Sequence, residues 1–456
     1  MAQEAVAGSD KAPAWIATRL DQWFRISERG SSIRIEFLAA LTTFATMSYV
    51  LAVHPIIMAD AGMDRAQVLT VTALVAGCFS ILMGLMANLP IAQAPGMGAN
   101  ALVAYTIILA MGVPWQAAMG MVFWSGVFFL ILTVTGVRKL LLVAYPGPLK
   151  SALTAGIGLF IMFIGLRGAG ILVRAPEPLF IMVGDITSPA VLLPLLGIPL
   201  VIGMMARKVP GAIILCITLL TIVGLFVPGE RGSLTPLPQG VIARPADISS
   251  LWMALDIGYL WSNFPQAFPV LTSLVFMDLF SSLAAMNAMC QRADLVDENG
   301  DMLNPNQALS ADALATIGAS IAGTSTTNCF GESAAGIETG GRTGLVAIFV
   351  GLMFFLAVFI NPLVIIIPPQ ATAPALVFIG LLMFTEVQSI DYSDTVSAGA
   401  AILTFILMAV TSIGDGMALG LLIYIAGMLL TGRAREVHML AYILGVAFGA
   451  YYAFAI

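Results

Sequence analysis

The chain has 456 residues, 59% of them apolar and 10% charged, and a mean hydropathy of +0.99. Soluble globular proteins are about 45–50% apolar and about 25% charged, so this composition excludes a soluble domain and places the chain in a membrane. A net charge of −6, with no basic run interleaved with aromatics, excludes nucleic acid as a partner.

The polar N-terminal stretch, 1–35, has neither the short apolar core of a signal peptide nor a lipidation Cys or Gly, and reads as a cytoplasmic tail. Crossing the hydrocarbon core takes about 20 apolar residues per helix. Seven such runs, at 37–58, 68–88, 90–111, 114–136, 149–170, 190–206 and 211–227, make a first set over 36–227. A polar, Pro-containing connection at 228–263 reads as extracytoplasmic, and seven more runs follow over 264–432, at 264–289, 307–322, 324–338, 343–362, 371–386, 395–412 and 414–431. The C-terminal segment 433–456 carries one more apolar stretch, 440–456, which is read as interfacial.

Basic residues set the orientation. With the N-terminus inside, the inner connections hold Lys11, Arg19, Arg25, Arg29, Arg34, Arg138, Lys139, Lys150, Arg207, Lys208, Arg292, Arg342, Arg433 and Arg435. Arg65, Arg167, Arg174, Arg231 and Arg244 fall on the outer side. The chain thus reads as an all-α polytopic protein of the plasma membrane.

The third segment of each set is broken. Residues 89–100 (Leu-Pro-Ile-Ala-Gln-Ala-Pro-Gly-Met-Gly-Ala-Asn) carry two prolines and two glycines, and 323–333 (Gly-Thr-Ser-Thr-Thr-Asn-Cys-Phe-Gly-Glu-Ser) are β-branched and polar before a small-residue helix begins. Each reads as a short extended stretch feeding a half-helix. Broken backbone at membrane depth survives only where protein or a polar cavity satisfies it, and paired breaks in two halves mark the central site of a secondary transporter. Two half-helix N-termini facing each other enclose a pocket suited to a small polar solute.

Several polar residues accompany these breaks. Asp278 lies in an apolar helix, where ionisation at mid-bilayer costs about 2.5–3.5 kcal/mol, so it faces either a cavity or a hydrogen-bonding neighbour. Ser281 and Ser282 extend its stripe at helical spacing. Glu332 starts the second half-helix, either as a ligand for N–H donors or as a cap, and Asn100 holds the matching place on the first. His54, beside Pro55, reads equally as a substrate contact and as a packed residue. Asp415 between two glycines reads as a turn residue, whereas Asp312, Glu338 and Arg342 read as serving helix ends and the inner surface. Cys78, Cys216, Cys290 and Cys329 form no CxxC pair, and His54 and His438 stand far apart, so no disulfide framework, metal site or cofactor is expected.

At these residues the chain resembles the nucleobase–cation symporter family, specifically its adenine/guanine/hypoxanthine permease branch. The likeness runs from about Arg34 to Gly432. It is carried by 42–49 (Thr-Thr-Phe-Ala-Thr-Met-Ser-Tyr), 94–101 (Ala-Pro-Gly-Met-Gly-Ala-Asn-Ala), 155–160, 323–327, 332–336 and 340–345 (Gly-Gly-Arg-Thr-Gly-Leu). The resemblance implies fourteen spans in two inverted seven-span repeats, a core domain of spans 1–4 and 8–11, and a gate domain of spans 5–7 and 12–14. It further implies proton-driven uptake of a base bound between the third, eighth and tenth spans, often by a homodimer. By motif, Asn100, Asp278 and Glu332 match positions used around the base.

Three positions depart from the branch. Ser281 stands where a second Asp is usual, His54 stands where Asn usually precedes the proline, and Phe330-Gly331-Glu332 resembles the aromatic-Gly-Glu of the uracil and xanthine branches. The substrate-binding set is therefore His54, Asn100, Asp278, Ser281, Phe330, Gly331 and Glu332. Glu332 would accept N–H bonds from a planar heterocycle while Asn100 meets its carbonyls. Desolvation makes ionisation of a buried carboxyl costly, so Asp278 and Glu332 are the candidates for carrying the coupling proton. A purine is the expected substrate, with uracil, xanthine or another heterocycle as alternatives. An anion transporter on the same fold would favour an uncompensated cation where Glu332 stands, and an intramembrane enzyme would need a nucleophile with its base; neither pattern is present.

Overall fold

The computed structural model describes residues 14–136, 145–175, 181–229, 232–297 and 302–454. Lys11, Arg138, Lys139 and Arg231, four of the residues used for orientation, lie outside them. Among the described residues nine helices are long and apolar enough to cross a membrane, and four shorter apolar helices accompany them.

The first half contains α1 (Ala14–Phe24), α2 (Ile33–Met47), α3 (Val50–Asp60), α4 (Arg65–Ala87), β1 (Gln93–Pro95) and α5 (Met97–Ala101). A π-helical stretch, Leu102–Ala110, continues α5, and α6 (Trp115–Val134), α7 (Gly147–Gly168), β2 (Leu172–Arg174), β3 (Ile181–Val183), α8 (Pro189–Ala206) and α9 (Ala212–Gly224) follow. The first apolar run starts earlier than its hydropathy indicated, because Ser32 caps α2 by accepting from the Ile35 N–H, and a turn at Ser48 and Tyr49 divides it into two helices.

After the hairpin β4 (Pro228–Gly229) and β5 (Gly232–Ser233) come α10 (Tyr259–Ser262), α11 (Phe264–Arg292), α12 (Pro305–Ala322), β6 (Thr327–Cys329), α13 (Ser333–Glu338) and α14 (Gly344–Ala357). The chain ends with α15 (Asn361–Ile365), α16 (Pro369–Phe384), α17 (Thr395–Val410), α18 (Ile413–Leu430) and α19 (Met439–Phe454). The final apolar stretch is thus a helix, and it packs on α18 and α11. The β2–β3 hairpin had no signal strong enough to be read from the sequence.

Both broken segments contain the expected extended piece, and the two pieces pair. β1 runs antiparallel to β6, with Gln93 opposite Cys329, Ala94 opposite Asn328 and Pro95 opposite Thr327. Proline lacks an N–H and biases the preceding residue away from helix, while Thr is stiff at χ1 and suits a strand. The pairing satisfies backbone groups that lipid could not. Gly96 N–H donates to the Thr326 carbonyl and Phe330 N–H to the Ala92 carbonyl, each at 3.0 Å.

Small residues bring the helices around this pair together, as expected where hydrophobic burial gives little drive between helices. The α4–α14 contact has Gly84 and Gly77 against Gly344 and Gly351, and α6 meets α12 at Gly126. Of these helices, α4 and α12 pack on the strand pair. In a second group, α7 packs on α16 at Gly158 and Gly380 and on α17 at Gly156. The groups meet where α5 approaches α7 and α11 approaches α18.

Candidate substrate site

A cavity of about 480 Å³ lies where the two groups meet. Its floor comes from the broken segments and α11, through Gly98, Ala99, Asn328, Met277 and Ser281. Its opposite wall comes from α7 and α18, including Thr154, Ile157 and Met417. Lys150, Asn287 and Glu386 also line it, and the Lys150 ammonium sits 5.1 Å above the Phe280 ring. The lining is apolar with a few polar groups, the usual make-up of a small-molecule site.

Of the candidate substrate-binding residues singled out from sequence, Ser281 is part of this lining and the others are not. Asp278 is fully buried in α11. Asn328 bridges it to the cavity: in the amide orientation that satisfies both ends, its nitrogen donates to the Thr327 carbonyl at 2.8 Å and to Asp278 Oδ1 at 3.2 Å, and its oxygen accepts from Ser281 Oγ at 2.7 Å. Asn100 Oδ1 accepts a hydrogen bond from Ser325 Oγ, which ties α5 to the strand approach of the other half. Asn100 does not cap α5, whose N-cap is Gly96.

Glu332 Oε1 accepts from the Tyr49 hydroxyl at 2.6 Å, and Thr46 Oγ1 donates to the Glu332 carbonyl at 3.3 Å. The capping alternative for the Glu332 side chain is not realised, since it makes no cap bond to α13. Phe330 is buried, with its ring 6.3 Å from that of Tyr49, whereas Gly331 is exposed. His54 is fully buried, and its Nε2 lies 2.6 Å from Thr324 Oγ1, a packed position rather than one on the cavity.

Asp312 requires a correction. Its expected place at a helix end or the inner surface is replaced by a fully buried position inside α12, where Oδ1 accepts from Gln93 Nε2 at 2.8 Å. Strand pairing lays Gln93 across α12, a contact that reading α12 alone does not reveal. Glu338 pairs with Arg292 at 3.3 Å on the surface, and the Arg342 guanidinium donates to the Ile337 carbonyl at 2.7 Å, as their helix-end readings require. Asp415 lies in the first turn of α18, bonded to its N-cap Ser412 and to Tyr452. Sequence reasoning missed Asn328, Gln93 and Tyr49 as site residues. The available signal for Asn328 was a carboxamide inside a run of hydroxyl residues.

Residues 34–417 match the xanthine/uracil permease model, described as the Permease family. The chain belongs to this family. The permease is 36% identical to the adenine permease AdeQ of Escherichia coli (strain K12), over 94% of this chain and 95% of that one. It is 37% identical to the guanine/hypoxanthine permease PbuG of Bacillus subtilis (strain 168), over 95% and 99%. Among solved structures it resembles the transmembrane domain of the cyanobacterial bicarbonate transporter BicA, with a TM-score of 0.63 at 15% identity, covering 84% of this chain and 96% of that one. The last likeness concerns the fold alone. The permease is thus an integral multi-pass transporter, not an enzyme.

Proposed function

We propose that this permease takes up a purine base with a proton by alternating access, as a plasma-membrane protein with a cytoplasmic N-terminus. Its fourteen spans form two inverted repeats, with the helices around the strand pair as the core and the α7–α9 and α16–α18 group as the gate. The observation that carries this reading is the cavity between the groups, with a carboxamide and a hydroxyl on its floor and a buried carboxylate behind them. Purines present N–H donors, ring acceptors and a flat apolar face, which suit such a lining. The permeases named for adenine and for guanine/hypoxanthine, similar over nearly their whole length, support the substrate class.

In this reading Ser281 meets the base directly, Asn100, Glu332, Phe330 and His54 shape the protein around the site, and Gly331 leaves room beside it. Asp278 carries the coupling proton, with Glu332 as the second titrating carboxyl, and the unit is a homodimer. Lys150, Asn287 and Glu386 lie at inner span ends on the charge-derived orientation, so the cavity opens to the cytoplasm.

Binding to the native state raises stability by mass action. Thermal unfolding of the detergent-purified protein with adenine, guanine, hypoxanthine, xanthine and uracil tests the reading, with Ser281→Ala as the control. A shift with a purine that is weakened in Ser281→Ala is the expected result. A shift confined to uracil would overturn the purine assignment, and no shift with any base would overturn the nucleobase reading.

A further inference from the structure

We propose that Asn328 is a specificity-determining side chain of this cavity, held in place by Gly96; the inference rests on the nucleobase reading above. Two independent features point to it. The first is the hydrogen-bond arithmetic of the carboxamide. An amide nitrogen has two hydrogens, and both are used, on the Thr327 carbonyl and Asp278 Oδ1. The amide oxygen has two acceptor positions, and its partner Ser281 has one hydrogen to share between that oxygen at 2.7 Å and the Met277 carbonyl at 2.6 Å. The group therefore presents an acceptor to the cavity, and the ligand chemistry it selects is a purine bearing an amino or ring N–H donor on the edge of its six-membered ring.

The second feature is Gly96. Its φ of −74° and ψ of 126° suit any L-residue, so the backbone does not require glycine there. Space does. A Cβ at Gly96 would stand 2.8 Å from Asn328 Cγ and 3.0 Å from both amide heteroatoms. The missing side chain is the slot in which the carboxamide lies, and strand pairing fixes that slot, since Asn328 sits opposite Ala94 in the β1–β6 ladder.

The test uses the full-length protein and two variants that reach the same group from the two broken segments. Asn328→Ser removes the carboxamide, and Gly96→Ala displaces it without altering its chemistry. Competition binding with adenine, hypoxanthine and unsubstituted purine gives affinities and their ratios. Losing one well-placed polar contact corresponds to a change on the order of tenfold. We expect both variants to weaken the preferred base by that factor while binding unsubstituted purine, which has no donor on its six-membered ring, with little change. Their selectivity ratios then move together. A purely structural Asn328 would lower all affinities equally, and that result, or unchanged ratios in either folded variant, would overturn the inference. Should neither variant fold, wild-type protein supplies the comparison: equal affinity for adenine and unsubstituted purine would also overturn it. Wild type that binds no base refutes the underlying nucleobase reading instead.

Discussion

At the scale of single residues, the buried carboxyls divide according to their partners. Asp278 connects through Asn328 to the cavity, whereas Asp312 of α12 is bonded to Gln93. If Asp278 carries the coupling proton, Asp278→Asn keeps the hydrogen-bonding shape but cannot ionise. The expected outcome is uptake that no longer rises with the proton gradient, while exchange of base for base persists; uptake in proteoliposomes at several external pH values measures it. Unchanged pH dependence would remove Asp278 from that role. Gln93→Ala probes the other carboxyl. It deprives Asp312 of a 2.8 Å bond inside the protein, and an unmet buried polar group costs about 1–3 kcal/mol, more for a charged one. A lowered unfolding temperature in detergent is expected. Ser281, which reaches the cavity, was legible with Asp278 because a polar stripe in an apolar run stands out locally. Gln93 and Asp312 were not legible together, because each looks ordinary within its own segment and their contact spans 219 positions of sequence.

At the scale of elements, the two breaks were readable because proline, glycine and β-branched residues leave a local signature. Their mutual pairing was not readable, since strand register depends on both partners and on the helices that hold them apart. The glycines record those constraints. A Cβ on Gly344 would stand 2.1 Å from the Gly84 carbonyl oxygen, and one on Gly84 would stand 2.4 Å from that of Gly344. Backbone, unlike a side-chain end, cannot rotate away, so α4 and α14 must separate to admit a methyl group. Gly344→Ala is accordingly expected to destabilise the protein by about 1–3 kcal/mol, the usual cost of overpacking. Gly399→Ala in α17, where nothing lies within 4 Å, is the matched control. Thermal unfolding of both variants checks the contrast: Gly399→Ala should hold or gain stability, since Ala forms helix better than Gly, and an equal change in Gly344→Ala would remove the contact as the cause.

At the scale of the molecule, the two packing groups touch at some places and part at others. On the proposed outer side, Tyr105 of the π-helical stretch meets Phe160 of α7 edge to face, with ring centroids 6.3 Å apart, and its hydroxyl donates to Asp60 at 2.7 Å. On the proposed inner side, Asn287 and Lys150 line an open cavity. A channel would keep both ends passable at once, whereas alternating access requires that opening one closes the other. Single cysteines distinguish these cases once exposed Cys78 is replaced by serine, the remaining native cysteines being buried. In the form described, Asn287→Cys should react with a membrane-impermeant maleimide from the cytoplasmic face, while Tyr105→Cys stays protected from the outside. Saturating purine should slow labelling at Asn287→Cys. Under an inward purine gradient, the Tyr105→Cys site should gain reactivity as the Asn287→Cys site loses it. Simultaneous fast labelling at both positions would replace the rocking of one group against the other with a continuous pore.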